Sequence, residues 1–200
     1  MPGQFSAQAQ DQALGYLYQV RYALLLFLKA GIDDPEAQIS IEALDDIAFE
    51  KNGTAAELIQ TKHHRNKASL SDSSSDLWKT LRVWSEALLQ GRLETENIIF
   101  TLLTTEQAAV NSAAGRLRPS SCGSRNVDEA LKTLIDIAQF SDNQTNQTAY
   151  RTFLRLTDEQ RRFLLVNVQI LDNSPNILAV EAEIANYLNR DSGHSPPLYI

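Results

Sequence analysis

The chain has 200 residues, 43% hydrophobic and 22% charged, which suits one ordinary globular domain with a sizeable core. Its net charge of −7 excludes a protein that coats nucleic acid by bulk electrostatics, although a local basic groove or a bound cation reverses the sign where it matters. A single cysteine, Cys122, excludes an internal disulfide and a cysteine-rich zinc site. No apolar run reaches the roughly 18–20 residues of a membrane-spanning helix, so a cytoplasmic protein without a membrane partner is expected.

Residues 1–8 read as a loose tail. From Ala9 to Ala30 apolar residues recur at Ala13, Leu17, Val20, Leu24, Phe27 and Leu28, which is helical spacing, and Gly31 is the expected stop. Tyr16, Tyr18 and Tyr22 on this helix are expected in the core or an interface. Asp33-Asp34-Pro35 breaks the pattern. Gln38 to Glu42 and Ile47 to Glu50 then read as strands joined through Ala43-Leu44-Asp45-Asp46. Lys51-Asn52-Gly53-Thr54 has hairpin chemistry, because Asn-Gly readily supplies positive φ, and Ala56 to Lys62 returns as the next strand.

Ser69 to Ser75 is read as a polar loop whose serines cap a helix from about Asp76 to Gln90, with Leu77, Leu81, Trp84 and Leu88 on its apolar stripe. Trp78 falls off that stripe, and packing beneath a loop suits it better than contact with nucleic acid or a partner. Glu96 to Leu103 is nearly all apolar, the mark of a central strand covered on both faces. Thr104 to Ala114 is read as helix, Gly115 to Arg125 as loop, and Val127 to Phe140 as helix. Asn143 to Thr148 is a polar linker before a short helix from Thr148 to Arg155, and Thr157 caps another helix beginning at Asp158. Val166, Val168 and Ile170 alternate, which favours a strand at the end of the ambiguous stretch Phe163 to Leu171. Ser174-Pro175 starts a last helix running to about Arg190. No internal repeat is visible. This order predicts an α/β fold, a mixed central sheet flanked by helices.

The chemistry concentrates between Ile41 and Lys62. In an extended strand Leu58, Gln60 and Lys62 share one face, while Ile59 and Thr61 take the other. Asp46 enters the preceding strand with Glu42 and Asp45 nearby, and the Asn52-Gly53 turn lies about midway between Asp46 and Lys62. Carboxylate, amide oxygen, the Thr61 backbone carbonyl and a lysine, once converged, are what magnesium-dependent phosphodiester cleavage needs. Magnesium prefers hard oxygen ligands and retains several waters, and Mn²⁺ is an acceptable substitute. Lys62 would hold the attacking water and offset phosphate charge. The densest basic run, Lys62-His63-His64-Arg65-Asn66-Lys67, starts at the same lysine.

The order of these motifs resembles the restriction-endonuclease-like, or PD-(D/E)xK, superfamily in the variant with glutamine before x-Lys. More closely, Gly15-Tyr16-Leu17-Tyr18-Gln19, then Ile41-Glu42 through Asp45-Asp46-Ile47, then Ile59-Gln60-Thr61-Lys62, look like the double-stranded-DNA nuclease domain of bacterial anti-phage effectors of cyclic-oligonucleotide systems. The resemblance covers residues 9–104, and only the general alternation of helices and strands extends over 105–190. It implies a nuclease domain over 9–190, with 191–200 a tail or linker to a fused or associated sensor domain.

It also implies Asp46 and Gln60 as metal ligands, Lys62 as catalytic lysine, Glu42 and Asp45 as supporting acids, and Gln19 as a first-helix glutamine facing the site. Which of Asp45 and Asp46 is the principal ligand stays open, with Asp46 favoured because it directly enters the strand. The implied substrate is double-stranded DNA of little sequence specificity, RNA staying open, and a homodimer or higher oligomer is the expected assembly. His63, His64, Arg65, Lys67, Lys79 and Arg82 are candidate phosphate contacts at the mouth of the site, and a solvated charged face is the plain alternative for each. A histidine-based ββα-metal site would need a further Asn/His pattern that is missing. A catalytically silent DNA- or protein-binding module that keeps the fold is the competing reading.

Overall fold

The computed structural model describes residues 7–33, 38–41, 46–51, 54–63, 69–92 and 98–191. The elements are helix α1 (Ala7–Asp33), strands β1 (Gln38–Ile41), β2 (Asp46–Lys51), β3 (Thr54–Lys62) and β4 (Ser69–Leu70), helix α2 (Ser75–Leu89), strands β5 (Ile99–Thr104) and β6 (Gln107–Ala108), helices α3 (Ala113–Arg116), α4 (Val127–Phe140), α5 (Gln147–Arg155) and α6 (Asp158–Asn167), strand β7 (Val168–Leu171) and helix α7 (Ile177–Asp191). Five strands form one mixed sheet in the order β1-β2-β3-β5-β7. The first three run antiparallel, as the hairpin chemistry demands, with Lys51 and Thr54 as Cα partners across the turn. β3, β5 and β7 are parallel and need the crossover helices between them.

Side-chain alternation along the strands divides the core in two. Phe100, Leu102, Val168 and Ile170 face α2, α4, α5 and α6, and Leu58 packs against this larger cluster. Ile47, Ile59 and Leu103 face α1 and α7 instead. The Leu58 and Ile59 faces predicted for β3 are therefore the two layers of the protein. Ser74 caps α2, and Leu77, Leu81, Trp84 and Leu88 are buried as the spacing predicts. Each such side chain contributes roughly 1.5–3 kcal/mol on burial. Trp78 is also buried beneath a loop. Its Nε1 donates to the Asp72 carbonyl at 2.7 Å, and its ring meets Tyr150 edge-on at 4.5 Å.

Two predicted elements are corrected. Thr104 to Ala114 is not a helix: β5 runs to Thr104, β6 follows, and α3 starts at Ala113. Long-range partners override the local preference. Asp172 Oδ2 accepts the Ala108 N–H at 2.8 Å, Arg118 donates to the Ala108 carbonyl at 2.7 Å, and β6 pairs with β4 inside the supposed Ser69–Ser75 loop. Arg118 closes the lock with a two-pronged bond to Asp172 at 2.6 and 2.8 Å. α3 reaches back to include Gly115, where a Cβ would lie 2.1 Å from the Ala109 carbonyl oxygen. Only glycine allows that approach. The last helix begins at Ile177 rather than Pro175, since Asn176 Oδ1 takes the Leu178 and Ala179 N–H groups and the Pro175 carbonyl is engaged by Tyr18.

α1 forms as the spacing predicts, but the residues that announce it face water. Leu17, Leu24 and Phe27 are exposed, whereas Tyr18, Gln19, Ala23 and Leu25 are buried. Of the three tyrosines, Tyr18 is core, Tyr22 half-buried and Tyr16 exposed.

Candidate functional site

β3 carries the site residues to the carboxyl end of the parallel part of the sheet, where α/β folds place their ligands. The β2–β3 register makes Asp46 and Gln60 direct Cα partners. Directly opposed residues lie about 4.5–5.5 Å apart, so the register sets these two strand positions side by side, and Gln60 takes the Leu58 face. Gln60 is only 2% exposed, and Thr61 is buried on the other face. Lys62 follows, half-buried, where the strand runs out toward solvent.

The Lys62 carbonyl accepts the Thr105 N–H at 3.2 Å on the β5 side. One residue earlier, alternation turns the Thr61 carbonyl to the opposite side, toward β2 and the entry of Asp46. The Asp46 strand position, the Gln60 amide and the Thr61 carbonyl thus belong to two paired strands, with Lys62 next along β3. Glu42, Asp45, His64, Arg65 and Lys67 lie outside the described residues, and for Asp46 the strand position, not the side chain, is described.

α1 closes the site from the other layer. The Tyr18 ring packs 4.8 Å from the His63 ring, just past Lys62, and its hydroxyl donates to the Pro175 carbonyl at 2.8 Å. Burial, with Tyr22 beside it, pushes the Tyr18 phenol well above its ordinary range, so it stays neutral. Tyr22 is raised to about 12 by burial and by the nearby Glu183 and Glu57 carboxylates. Next to Tyr18, Gln19 is 2% exposed, and its Nε2 has no hydrogen-bond partner among the described residues. An unpaired buried amide costs about 1–3 kcal/mol, so it marks a place where a ligand or water is expected. Lys79 is exposed on α2, and Arg82 is half-buried 3.7 Å from Glu86 in an i,i+4 pair on the same helix.

One acid escaped the sequence reading. Glu106, 6% exposed, lies just past the end of β5, beside Thr105 and hence beside Lys62. Thr104 Oγ1 accepts the Glu106 N–H at 3.1 Å, and the Glu106 carbonyl accepts from Asn173 at 2.7 Å. Reading residues 104–114 as helix hid its neighbourhood; the signal available was its place just beyond a central parallel strand.

The donor set suits magnesium. Its oxygens are hard and its protein ligands few, which leaves room for retained waters. No group of three or more His, Cys, Asp or Glu that could hold a metal occurs among the described residues, so nothing there favours a zinc-type cage. No described helix is long and apolar enough to cross a membrane.

No family model matches the chain, and no curated protein matches it significantly. Among solved structures it is similar to the SAVED/CARF-domain-containing receptor Cap4 of Moraxella osloensis, at 14% identity and a TM-score of 0.50. The match covers 91% of this chain and 38% of the receptor. A second match, at 17% identity and a TM-score of 0.42, is Cap4 of Acinetobacter baumannii with the cyclic trinucleotide 2'3'3'-cAAA; it covers 94% of this chain and 37% of that one. At this identity the likeness concerns the fold, and the chain spans well under half of either receptor.

Proposed function

We propose that the chain is a Mg²⁺-dependent endonuclease of restriction-endonuclease-like fold that hydrolyses double-stranded DNA with little sequence specificity. The observation that carries this reading is the register pairing of Asp46 with Gln60, two residues before Lys62 at the rim of the sheet. Asp46, Gln60 and the Thr61 carbonyl would hold the metal, with Glu42 and Asp45 as supporting acids. When bound, the metal neutralises phosphate charge and lowers the pKa of a ligated water. Lys62 orients the attacking water and balances the developing phosphorane charge. Gln19 offers its unpaired amide to a phosphate oxygen or an ordered water. His63, His64, Arg65, Lys67, Lys79 and Arg82 supply cationic or hydrogen-bonding contacts to the backbone, which position DNA without reading its sequence.

The fold-level likeness to Cap4 supports a place in bacterial anti-phage defence, as the effector part of a protein whose remainder senses a signal. This step is an analogy of fold and adds nothing about the chemistry. The test is conversion of supercoiled plasmid by the purified protein with Mg²⁺, with EDTA, and by Lys62→Ala. Magnesium-dependent nicking that the variant loses supports the proposal. Cleavage that survives Lys62→Ala sinks the assigned site, and DNA binding without cleavage under any metal favours the silent binding module.

A further inference from the structure

α1 is a surface helix with two apolar faces. Tyr18, Ala23 and Leu25 face the sheet, while Ala13, Leu17, Val20, Leu24, Phe27 and Gly31 line the opposite side at spacings of four, three, four, three and four residues. That is an unbroken heptad seam on the side away from the sheet. A helix that is apolar all round is a buried helix. Between Gln12 and Ala30 the helix carries two charges, and neither interrupts the seam. Arg21 and Lys29 reach Glu181 and Glu183 of α7 at 2.9 and 3.0 Å.

From these observations we infer that the outer seam of α1 docks a second copy of this chain in an antiparallel, two-fold helix pair. The seam is self-complementary about a point near residue 22. Reversed onto itself, it sets Leu17 against Phe27, Val20 against Leu24, and the small Ala13 against Gly31. Large side chains thus meet large ones at the centre and the backbones close at the ends. A two-fold pairs each seam position with its mirror position, and here the mirror positions also match in size.

The absence of charge on the seam lets two chains of net charge −7 meet there without a like-charge contact. Tyr16, Leu17, Leu24 and Phe27 are 62%, 42%, 43% and 49% exposed. With side-chain areas of about 150–250 Å², they leave on the order of 400 Å² of apolar surface in water. That is the size of the largest apolar patch on a typical monomer, a patch that is often functional. Ile32 and the polar rim of α1 extend it toward the roughly 800 Å² per partner of a stable interface.

The inference stands on the exposure of α1 and is independent of the nuclease reading. Sedimentation equilibrium of the whole protein between about 1 and 100 μM tests it, beside Leu24→Glu, an exposed helix position where glutamate is a good helix former. The expected result is a dimer whose self-association weakens at least tenfold in the variant, with an unchanged circular dichroism spectrum and a melting temperature lowered only by the lost association. A wild-type monomer across the range overturns the proposal, as does a dimer that Leu24→Glu leaves intact. Geometry is read separately in a Cys122→Ser background. Mixing Val20→Cys with Leu24→Cys under oxidation should yield the mixed disulfide dimer, and failure to cross-link a dimer of proven mass overturns the antiparallel pairing.

Discussion

The layer of α2, α4, α5 and α6 buries its apolar stripes against the sheet and locks its loops with buried polar bonds. The layer of α1 and α7 is thinner and leaves apolar side chains on its outer side. One layer is a finished scaffold and the other is a working surface. β3 belongs to both: Leu58 anchors it in the first, Ile59 and Thr61 turn to the second, and Lys62 ends the strand on the Leu58 face. The difference teaches that rigidity at Gln60 and Lys62 comes from the layer on their own face of the sheet, while the layer of α1 and α7 keeps apolar groups available for something else to contact.

That contrast can be broken from either side. The largest effect is expected at Lys62→Ala, which should lower magnesium-dependent plasmid nicking by roughly 10²–10⁴-fold and leave the melting temperature within a degree or two. A matching fall in stability would show that Lys62 belongs to the scaffold. Next comes Arg118→Ala, which strands the largely buried Asp172 carboxylate and should cost about 3–5 kcal/mol in denaturant unfolding.

The same lock has a pH signature. Burial raises the Asp172 pKa, but the bonds from Arg118 and the Ala108 N–H outweigh it, so the folded carboxyl titrates below its ordinary range. Its contribution is complete above the unfolded pKa of about 3.9 and is lost as pH falls through the folded value. Melting curves of the wild type and Asp172→Asn should therefore stand furthest apart above about pH 4 and draw together as pH falls below the ordinary aspartate range. Parallel curves at all pH values would remove Asp172 as the titrating group.

Gly115→Ala, with its Cβ pressed on the Ala109 carbonyl, should cost about 2 kcal/mol in the same assay. The smallest effect is reserved for the near layer. Tyr18→Phe gives up the bond to the Pro175 carbonyl and should lower stability by about 1 kcal/mol. A loss as large as that of Arg118→Ala would erase the distinction between the layers.

Sequence made the hairpin and the face of Gln60 and Lys62 legible because both depend on local chemistry. The two-residue connection starts the register, and strand alternation sets the face of Gln60 and Lys62. A one-residue bulge between Phe49 and Glu50, which local chemistry does not announce, shifts the register so that Asp46 meets Gln60. α2 was equally plain, having one apolar stripe and a serine cap. On α1 the helix was readable but its buried face was not, since periodicity cannot rank two apolar stripes against each other. Tyr18 is the more polar choice, and it won the interior because its partners, His63 and Pro175, come from far along the chain. Residues 104–114 were misread for a related reason: the groups that hold Ala108 straight, Arg118 and Asp172, arrive 10 and 64 residues later. Glu106 was lost with them.

β7 has a further consequence for how this sheet behaves among other chains. Its side away from β5 is already filled, as the Ile170 N–H donates to the Leu117 carbonyl at 3.0 Å and Arg125 takes the Val168 carbonyl at 2.9 Å. Arg125 also grips the Leu165 and Val166 carbonyls at the end of α6, so the plug is fastened to the helix that delivers the strand. An incoming strand therefore finds no open ladder at this border, and the sheet is sealed there against templated growth into fibrils.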